Sequence, residues 1–168
     1  MAAPTQGWKF SMIGIRVADL ERSIAFYRDV FGLEEITRIR EDTVTIVFLG
    51  YPDGGTTPDK LFRREGVLEL LQAHHPHAKP LLTNAGQNAQ FGLIKLSITV
   101  PNMEAAVTQL KEHKVKIIKG PGEPGIDITA RAIGISADTS VNKGVWAAIA
   151  PVVFAEDPDG YLVELIQR

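Results

Sequence analysis

The chain contains no cysteine, which removes a disulfide framework, a thiolate metal site and a thiol nucleophile. Any reactive centre must use oxygen, nitrogen or thioether groups. Long apolar runs are also missing: "WAAIAPVVFA" is too short to span a bilayer, and no charged segment followed by an apolar stretch opens the chain. There is no basic block. Eighteen Lys and Arg against twenty Asp and Glu give a net charge of -2, so no row of phosphates would be neutralised and nucleic acid is not an expected partner. Neither G-x-x-x-x-G-K nor a strand-borne G-x-G-x-x-G occurs, so no nucleotide cofactor is indicated. The absence of G-x-S-x-G leaves a hydrolase of that kind without support. A soluble, cytoplasmic protein is the expectation.

What is present suits a folded domain: 168 residues, 45% hydrophobic and 23% charged. Residues 1–9 read as a tail, 10–168 as one domain. Within it "IRVADLERSIAFYRDVFGLEEI" overlays "ITVPNMEAAVTQLKEHKVKII" at a constant offset of 83 positions, setting Val17 on Val100, Asp19 on Asn102 and Leu20 on Met103. In each copy a strand ends at the valine, Asp19 or Asn102 can cap a helix, and apolar residues then recur at helical spacing. Gly32 ends the first helix. Strands are expected at 33–40, 43–50 and 66–73, and again at 115–119, 146–155 and 161–167. The result is an α+β fold of two βαβββ modules, about 10–75 and 91–168, joined by a linker at 76–90. The glycine-rich stretch 120–144 is a long loop, either a lid over a site or a passive insertion.

Three charged residues stand out on the strands. In "GLIKLSITV" Lys95 shares a face with Ser97 and Thr99, which is either a wet outer face or the lining of a polar cavity. Glu69 lies between Val67 and Leu71, and Glu164 between Leu162 and Ile166. A carboxylate so flanked either faces water on an edge strand or meets a cation, a metal or hydrogen-bond donors. Glu164 is the repeat-mate of Glu69 if the second copy carries a net insertion of twelve residues, for which the 120–144 loop is the natural place. Met12 is the repeat-mate of Lys95. The pairs 12 with 69 and 95 with 164 would converge if the modules pack face to face. His74, His75 and His77 in "HHPH" follow a strand into a loop, where surface histidines need no ligand role. The "DPDG" at 157–160 reads as a turn.

Three segments together resemble the vicinal oxygen chelate superfamily of glyoxalase I, bleomycin-resistance and dioxygenase-like proteins: "RVADLERSIAFYRDVFGL", "RREGVLELLQ" and "FAEDPDGYLVELIQ". The resemblance spans about 10–168 apart from the long loop. It implies paired, curled mixed sheets around a cavity. It also implies a divalent metal held by one side chain from each of four strands, in glyoxalase I usually His or Gln, Glu, His and Glu. Those positions fall on Met12, Glu69, Lys95 and Glu164. A thioether is a weak ligand for such ions, and a protonated lysine has no lone pair to give. No metal and no cofactor are therefore expected, and Lys95 is expected to form a salt link with Glu69, Glu164 or both. Arg16 matches an arginine that contacts glutathione in glyoxalase I, whereas Phe91 and Ala73 stand where a further arginine and an asparagine belong. Lactoylglutathione lyase activity is not expected.

The resulting expectation is a metal-independent lyase or isomerase acting on a small oxygenated, secondary-metabolite-like substrate, and forming a homodimer. Glu69 or Glu164 would move a proton, and Lys95 would stabilise an enolate or phenolate. Met12, Arg16, Ser97 and Phe91 would contact substrate, although Arg16 can equally pair with an acid and Ser97 can be an ordinary strand hydroxyl. The competing expectations are a small-molecule binding or resistance protein, and a metal-dependent glyoxalase-like lyase or dioxygenase.

Overall fold

The computed structural model describes residues 5–52, 57–74, 93–127, 130, 147 and 149–168. The chain divides into two compact units, Met1–Lys79 and Pro80–Arg168, each holding one copy of the repeat. The expected linker at 76–90 lies outside the described residues. No described helix is long and apolar enough to cross a membrane.

The first unit runs β1 (Met12–Arg16), α1 (Leu20–Phe31), β2 (Glu34–Arg40), β3 (Val44–Gly50), a 3-10 helix (Pro58–Arg63) and β4 (Val67–Ala73). Its four strands lie in the order β1-β4-β3-β2, with β1 parallel to β4 and the other pairs antiparallel. Asp19 caps α1 by accepting from the Arg22 amide at 3.0 Å. Gly32 ends it at φ 72°, where a side chain would be strained. The helix buries Leu20, Ile24 and Tyr27 and packs on β4. Gln72, at the end of β4, shows which face is covered: its Nε2 donates to the Ala18 carbonyl at 2.9 Å and its Oε1 accepts from the Leu20 amide at 3.4 Å. By alternation Leu68 and Leu70 share that helix-covered face, while Val67, Glu69 and Leu71 take the other.

The second unit repeats the plan with β5 (Leu96–Val100), α2 (Met103–Glu112), β6 (Lys116–Lys119), β7 (Val153–Glu156) and β8 (Leu162–Gln167), in the order β5-β8-β7-β6. Asn102 caps α2 through the Ala105 amide at 2.9 Å. Gln167 accepts from the Met103 amide at 3.2 Å, so it does for α2 what Gln72 does for α1. Glu164 therefore also faces away from its helix. Between β7 and β8, Asp157 Oδ1 accepts from the amides of Asp159 (2.9 Å) and Tyr161 (2.8 Å), and Gly160 takes φ 87°. The expected turn is present, and Asp157 Oδ1 holds it together.

Cross-strand register refines the repeat. Phe48 lies opposite Thr37 and Glu69, and Phe154 lies opposite Lys119 and Glu164. The two β-bulges also correspond, at Ile36 and Ile118. The displacement of twelve between Glu69 and Glu164 is thus not one insertion. The second unit is 24 residues longer between β6 and β7 and 11 shorter between β7 and β8, with one position lost before β6.

Two expectations are corrected. The strand placed at 146–155 begins only at Val153; Ala147 and Ile149 are helical, and Ala150 and Pro151 form a turn. Pro151 has no amide to give a ladder, and an alanine-rich apolar run fits a buried helix as well as a strand. The start of the 120–144 stretch is not irregular throughout either, since Ile126, Asp127 and Ala130 are helical and Ala130 is buried. The rest of that stretch lies outside the described residues.

Candidate active site

Glu69 and Glu164 both stand on interior strands, β4 between β1 and β3 and β8 between β5 and β7, which rules out the edge-strand reading. Their surroundings match by position and differ in chemistry. In the second unit Ser97 lies directly opposite Glu164 on β5, and Lys95 precedes it by two residues on the same face. Lys95 Nζ donates to Glu164 Oε1, and Ser97 Oγ donates to Glu164 Oε2 at 2.7 Å. The Glu164 side chain is 6% exposed and that of Lys95 33%. The expected salt link of Lys95 is thus made with Glu164, and water reaches the ammonium but hardly the carboxylate. Lys95 Nζ also stands 5.7 Å from the centroid of the Phe154 ring, whose face attracts a cation. Phe154 belongs to an apolar cluster with Val152 and Leu162, against which Ile118 and Ile149 pack.

In the first unit Gly14 takes the place of Ser97, opposite Glu69, and Met12 the place of Lys95. Met12 packs with Ile46 against the buried cluster of Ile36, Phe48, Leu61 and Val67, the counterpart of the cluster around Phe154. Leu61 comes from the 3-10 helix, so the longer β3–β4 connection supplies the contact that Ile149 supplies in the second unit. The Glu69 carboxylate lies over Gly14: a β-carbon added there would stand 3.3 Å from Glu69 Oε2. Glu69 is partly buried and has no hydrogen-bond or ion-pair partner among the described residues of its unit.

Arg16 is exposed on β1, on the face of Met12 and Gly14. Phe91, His75 and His77 lie outside the described residues. His74 is taken up in the hairpin before it: one ring nitrogen pairs with Thr45 Oγ1 at 2.9 Å and the other with the Asp42 carbonyl at 3.3 Å. That fits the surface reading of this histidine.

The donor set does not fit a divalent metal. Of the four positions that would supply ligands, Met12 offers a thioether packed on apolar side chains, and Lys95 an ammonium already bonded to Glu164. Both oxygens of Glu164 are taken, which leaves Glu69 as the sole uncommitted donor. Among the described residues no three His, Cys, Asp or Glu are grouped to hold a metal.

One buried charge escaped the sequence reading. Lys119, 1% exposed, is the fourth member of the cross-strand row that starts Ser97, Glu164, Phe154. Its Nζ donates to the carbonyls of Gly120 (3.1 Å), Ala150 (2.9 Å) and Val152 (2.6 Å). It thereby fixes the residues leading into β7. Burial pushes its pKa below the ordinary lysine value, and Glu123 opposes that shift. A lysine closing a short strand before a glycine-rich turn gives little sign of this role.

Two sheets of this order, each with a parallel outer strand and a glutamate facing away from the helix, define a paired βαβββ protein. Residues 9–165 match the Glyoxalase/Bleomycin resistance protein/Dioxygenase superfamily, and the chain belongs to it. It is 28% identical over 167 residues to a lactoylglutathione lyase of Schizosaccharomyces pombe, covering 96% of this chain and 48% of that protein. The corresponding protein of Pseudomonas aeruginosa is 26% identical over 174 residues, covering 98% and 85%. A mitochondrial methylmalonyl-CoA epimerase of Mus musculus is 30% identical over 125 residues, covering 70% and 62%. The chain thus spans about half the length of the first of these relatives. Among solved structures, the trypanothione-dependent glyoxalase I of Leishmania major matches with a TM-score of 0.61 at 25% identity, covering 96% of this chain and 87% of that one.

Proposed function

We propose that this chain is a metal-independent lyase or isomerase that moves a proton on a small, oxygenated, partly apolar substrate of the secondary-metabolite kind. One observation carries the reading: at a position where the family's resemblance implies a metal ligand, a one-third exposed ammonium, Lys95, is held by Glu164. A carboxylate takes the proton from a carbon beside a carbonyl, the carbonyl oxygen gains the negative charge, and Lys95 stabilises that oxyanion. The proton then returns to a different position, or a leaving group departs. Each step balances without an oxidant or a metal. Preorganised charge at a developing oxyanion is worth several kcal/mol, about 3 kcal/mol for a single good donor. Ser97 and Arg16 contact substrate oxygens and Met12 gives an apolar wall. The relatives bear the names of a lyase and an epimerase, which agrees with this pair of reaction types.

Proton exchange tests the proposal without knowledge of the natural substrate. Protein treated with a chelator and dialysed is incubated in D2O with a panel of α-hydroxyketones, β-keto esters and acyl thioesters, and loss of the α-proton signal is followed by proton NMR. Exchange that persists without metal and falls about a hundredfold in Lys95→Met supports the reading. Exchange that appears only when a divalent metal is added back overturns it.

A further inference from the structure

We infer that Glu164 sets the specificity of the second unit's site: by neutralising Lys95 it makes the site a receptor for an uncharged carbonyl oxygen and keeps out carboxylate and phosphate groups. This specificity rests on the reading above, in which Lys95 meets a substrate oxygen, and it names which oxygens qualify. Lys95, Ser97, Glu164 and their neighbours all belong to the second unit.

A lysine one-third open to water beside an exposed serine has the outward form of an anion site. The bonding points the other way. Glu164 is buried and accepts from Lys95 Nζ through Oε1, so its carboxylate stands one hydrogen bond away from the charge that a ligand would meet. An anion accepting from Lys95 at about 3 Å would lie about 4–5 Å from that carboxylate; because Coulomb energy falls as the inverse of distance, repulsion cancels about two-thirds of the attraction. What is left has to offset the hydration that the anion gives up. A ketone or ester carbonyl gives up much less and makes the same hydrogen bond. The charge its oxygen acquires as a proton leaves arises already in place, where the residual attraction acts without further desolvation.

Ser97 acts in the same sense. It is exposed, but its hydrogen goes to Glu164 Oε2 at 2.7 Å, so it turns lone pairs toward a ligand. Rotating that hydroxyl toward an anion would leave a buried carboxylate oxygen without its donor. The neighbouring cations are committed as well. Lys119, on the cross-strand row of Ser97, Glu164 and Phe154, gives Nζ to three backbone carbonyls, and Lys116 pairs with Glu156 at 2.7 Å. Lys95 and Glu164 thus form a neutral pair whose open side is a hydrogen-bond donor. Such a pair suits the carbonyl of a ketone, an ester or a thioester, and it disfavours the corresponding acid.

Two ligands with one framework, acetophenone and benzoate, test the charge rule. In full-length protein carrying carbon-13 lysine, the Lys95 Cε signal is assigned by its loss in Lys95→Met and followed as each compound is added. The wild-type protein is expected to bind acetophenone at least about tenfold more tightly than benzoate, and to give no saturable response to inorganic phosphate. Glu164→Gln keeps the shape and one acceptor while removing the counter-charge. Its preference is expected to reverse, with benzoate gaining at least about tenfold and phosphate now binding. The wild-type comparison decides the matter even if that variant does not fold. Benzoate binding as tightly as acetophenone in the wild type, or an unchanged preference in folded Glu164→Gln, overturns the charge rule and leaves the proton-shift reading intact. A Lys95 signal that neither compound moves overturns the rule too. Absence of exchange with every compound of the D2O panel overturns the proton-shift reading, and with it the substrate class inferred here.

Discussion

Lys95→Met gives the sharpest energetic test, because the first unit already shows how a methionine behaves at the equivalent place. Removing the ammonium strands a carboxylate whose side chain is 6% exposed, leaving Ser97 as its remaining donor. Removing one partner of a fully buried pair costs roughly 3–5 kcal/mol, but Lys95 is one-third exposed and water screens this pair, so about half of that, ~2 kcal/mol, is the better figure. The new thioether can lie on the Phe154 ring as Met12 lies against the Phe48 cluster, returning about 0.5–1 kcal/mol. The expected net loss is about 1–1.5 kcal/mol. Glu164→Gln should cost less, about 0.5–1 kcal/mol, since the amide oxygen still accepts and the ammonium left behind is partly wet. The double variant should be more stable than the sum of the singles by about 1 kcal/mol, because the stranded charge has gone. Urea denaturation followed by circular dichroism measures all three. A Lys95→Met protein as stable as the wild type, or a coupling within error of zero, refutes the claim that Glu164 is held as a buried ion by Lys95.

Four further outcomes follow from the same structure. Lys114 sits at φ 55°, left-handed without being glycine, so Lys114→Gly should stabilise the protein by about 0.5–1 kcal/mol in thermal unfolding. Asp19→Ala should destabilise it by about 1 kcal/mol, and Asn102→Ala by a similar amount, each removing one helix cap. Gly125→Ala would set a β-carbon 2.2 Å from Lys119 Cδ, displacing the lysine stem; a loss of about 1–3 kcal/mol is expected, and much less in a Lys119→Ala background. The pKa of Lys119 is lowered in the folded chain, so between that value and the ordinary 10.5 the unfolded chain binds more protons and this group's contribution to stability rises with pH. In that alkaline window the midpoint of Lys119→Met should therefore lack the upward contribution seen in the wild type.

The fold was legible because its signals are local and occur twice. Caps at Asp19 and Asn102 and the "DPDG" turn each rest on a side chain accepting from amides two to four residues away, the helix stop at Gly32 rests on its left-handed backbone, and each is found where the sequence puts it. Gln72 and Gln167, at the same three-residue spacing after the two glutamates, were readable in "ELLQ" and "ELIQ" but required knowing that the strand end meets the helix start. The run around Pro151 departs from the expected strand because an apolar segment carries no periodicity that separates helix from strand. The net shift of twelve is correct in size, and the connection holding the 120–144 stretch does carry an insertion, but one of 24 residues, offset by 11 fewer between β7 and β8 and one fewer before β6. An offset counts residues without saying on which side of a strand they fall, and Phe154, which divides the two connections, can be located only through its pairing with Glu164.

The candidate site marks the same boundary between pattern and register. Alternation places Glu69 and Glu164 away from the helices, but it does not say which neighbours commit their oxygens. That depends on which residue of the parallel outer strand stands opposite, and there the copies present Gly14 and Ser97. Slipping β5 by one residue against β8 would turn Lys95 and Ser97 to the helix side and leave Glu164 bare. The register is fixed from both ends: Gln167 holds the start of α2, which follows directly from β5, while the Asp157 turn sets where β8 begins. The turn and the glutamine thus set the register on which the Lys95–Glu164 pair depends. Asp157→Ala should accordingly disturb the pair without removing a charge from it. In carbon-13-labelled protein the Glu164 carboxyl signal should move toward its position in Lys95→Met, while that of Glu69, in the other unit, stays fixed. A shift at Glu69 with none at Glu164 would show that the turn does not set the register of the pair.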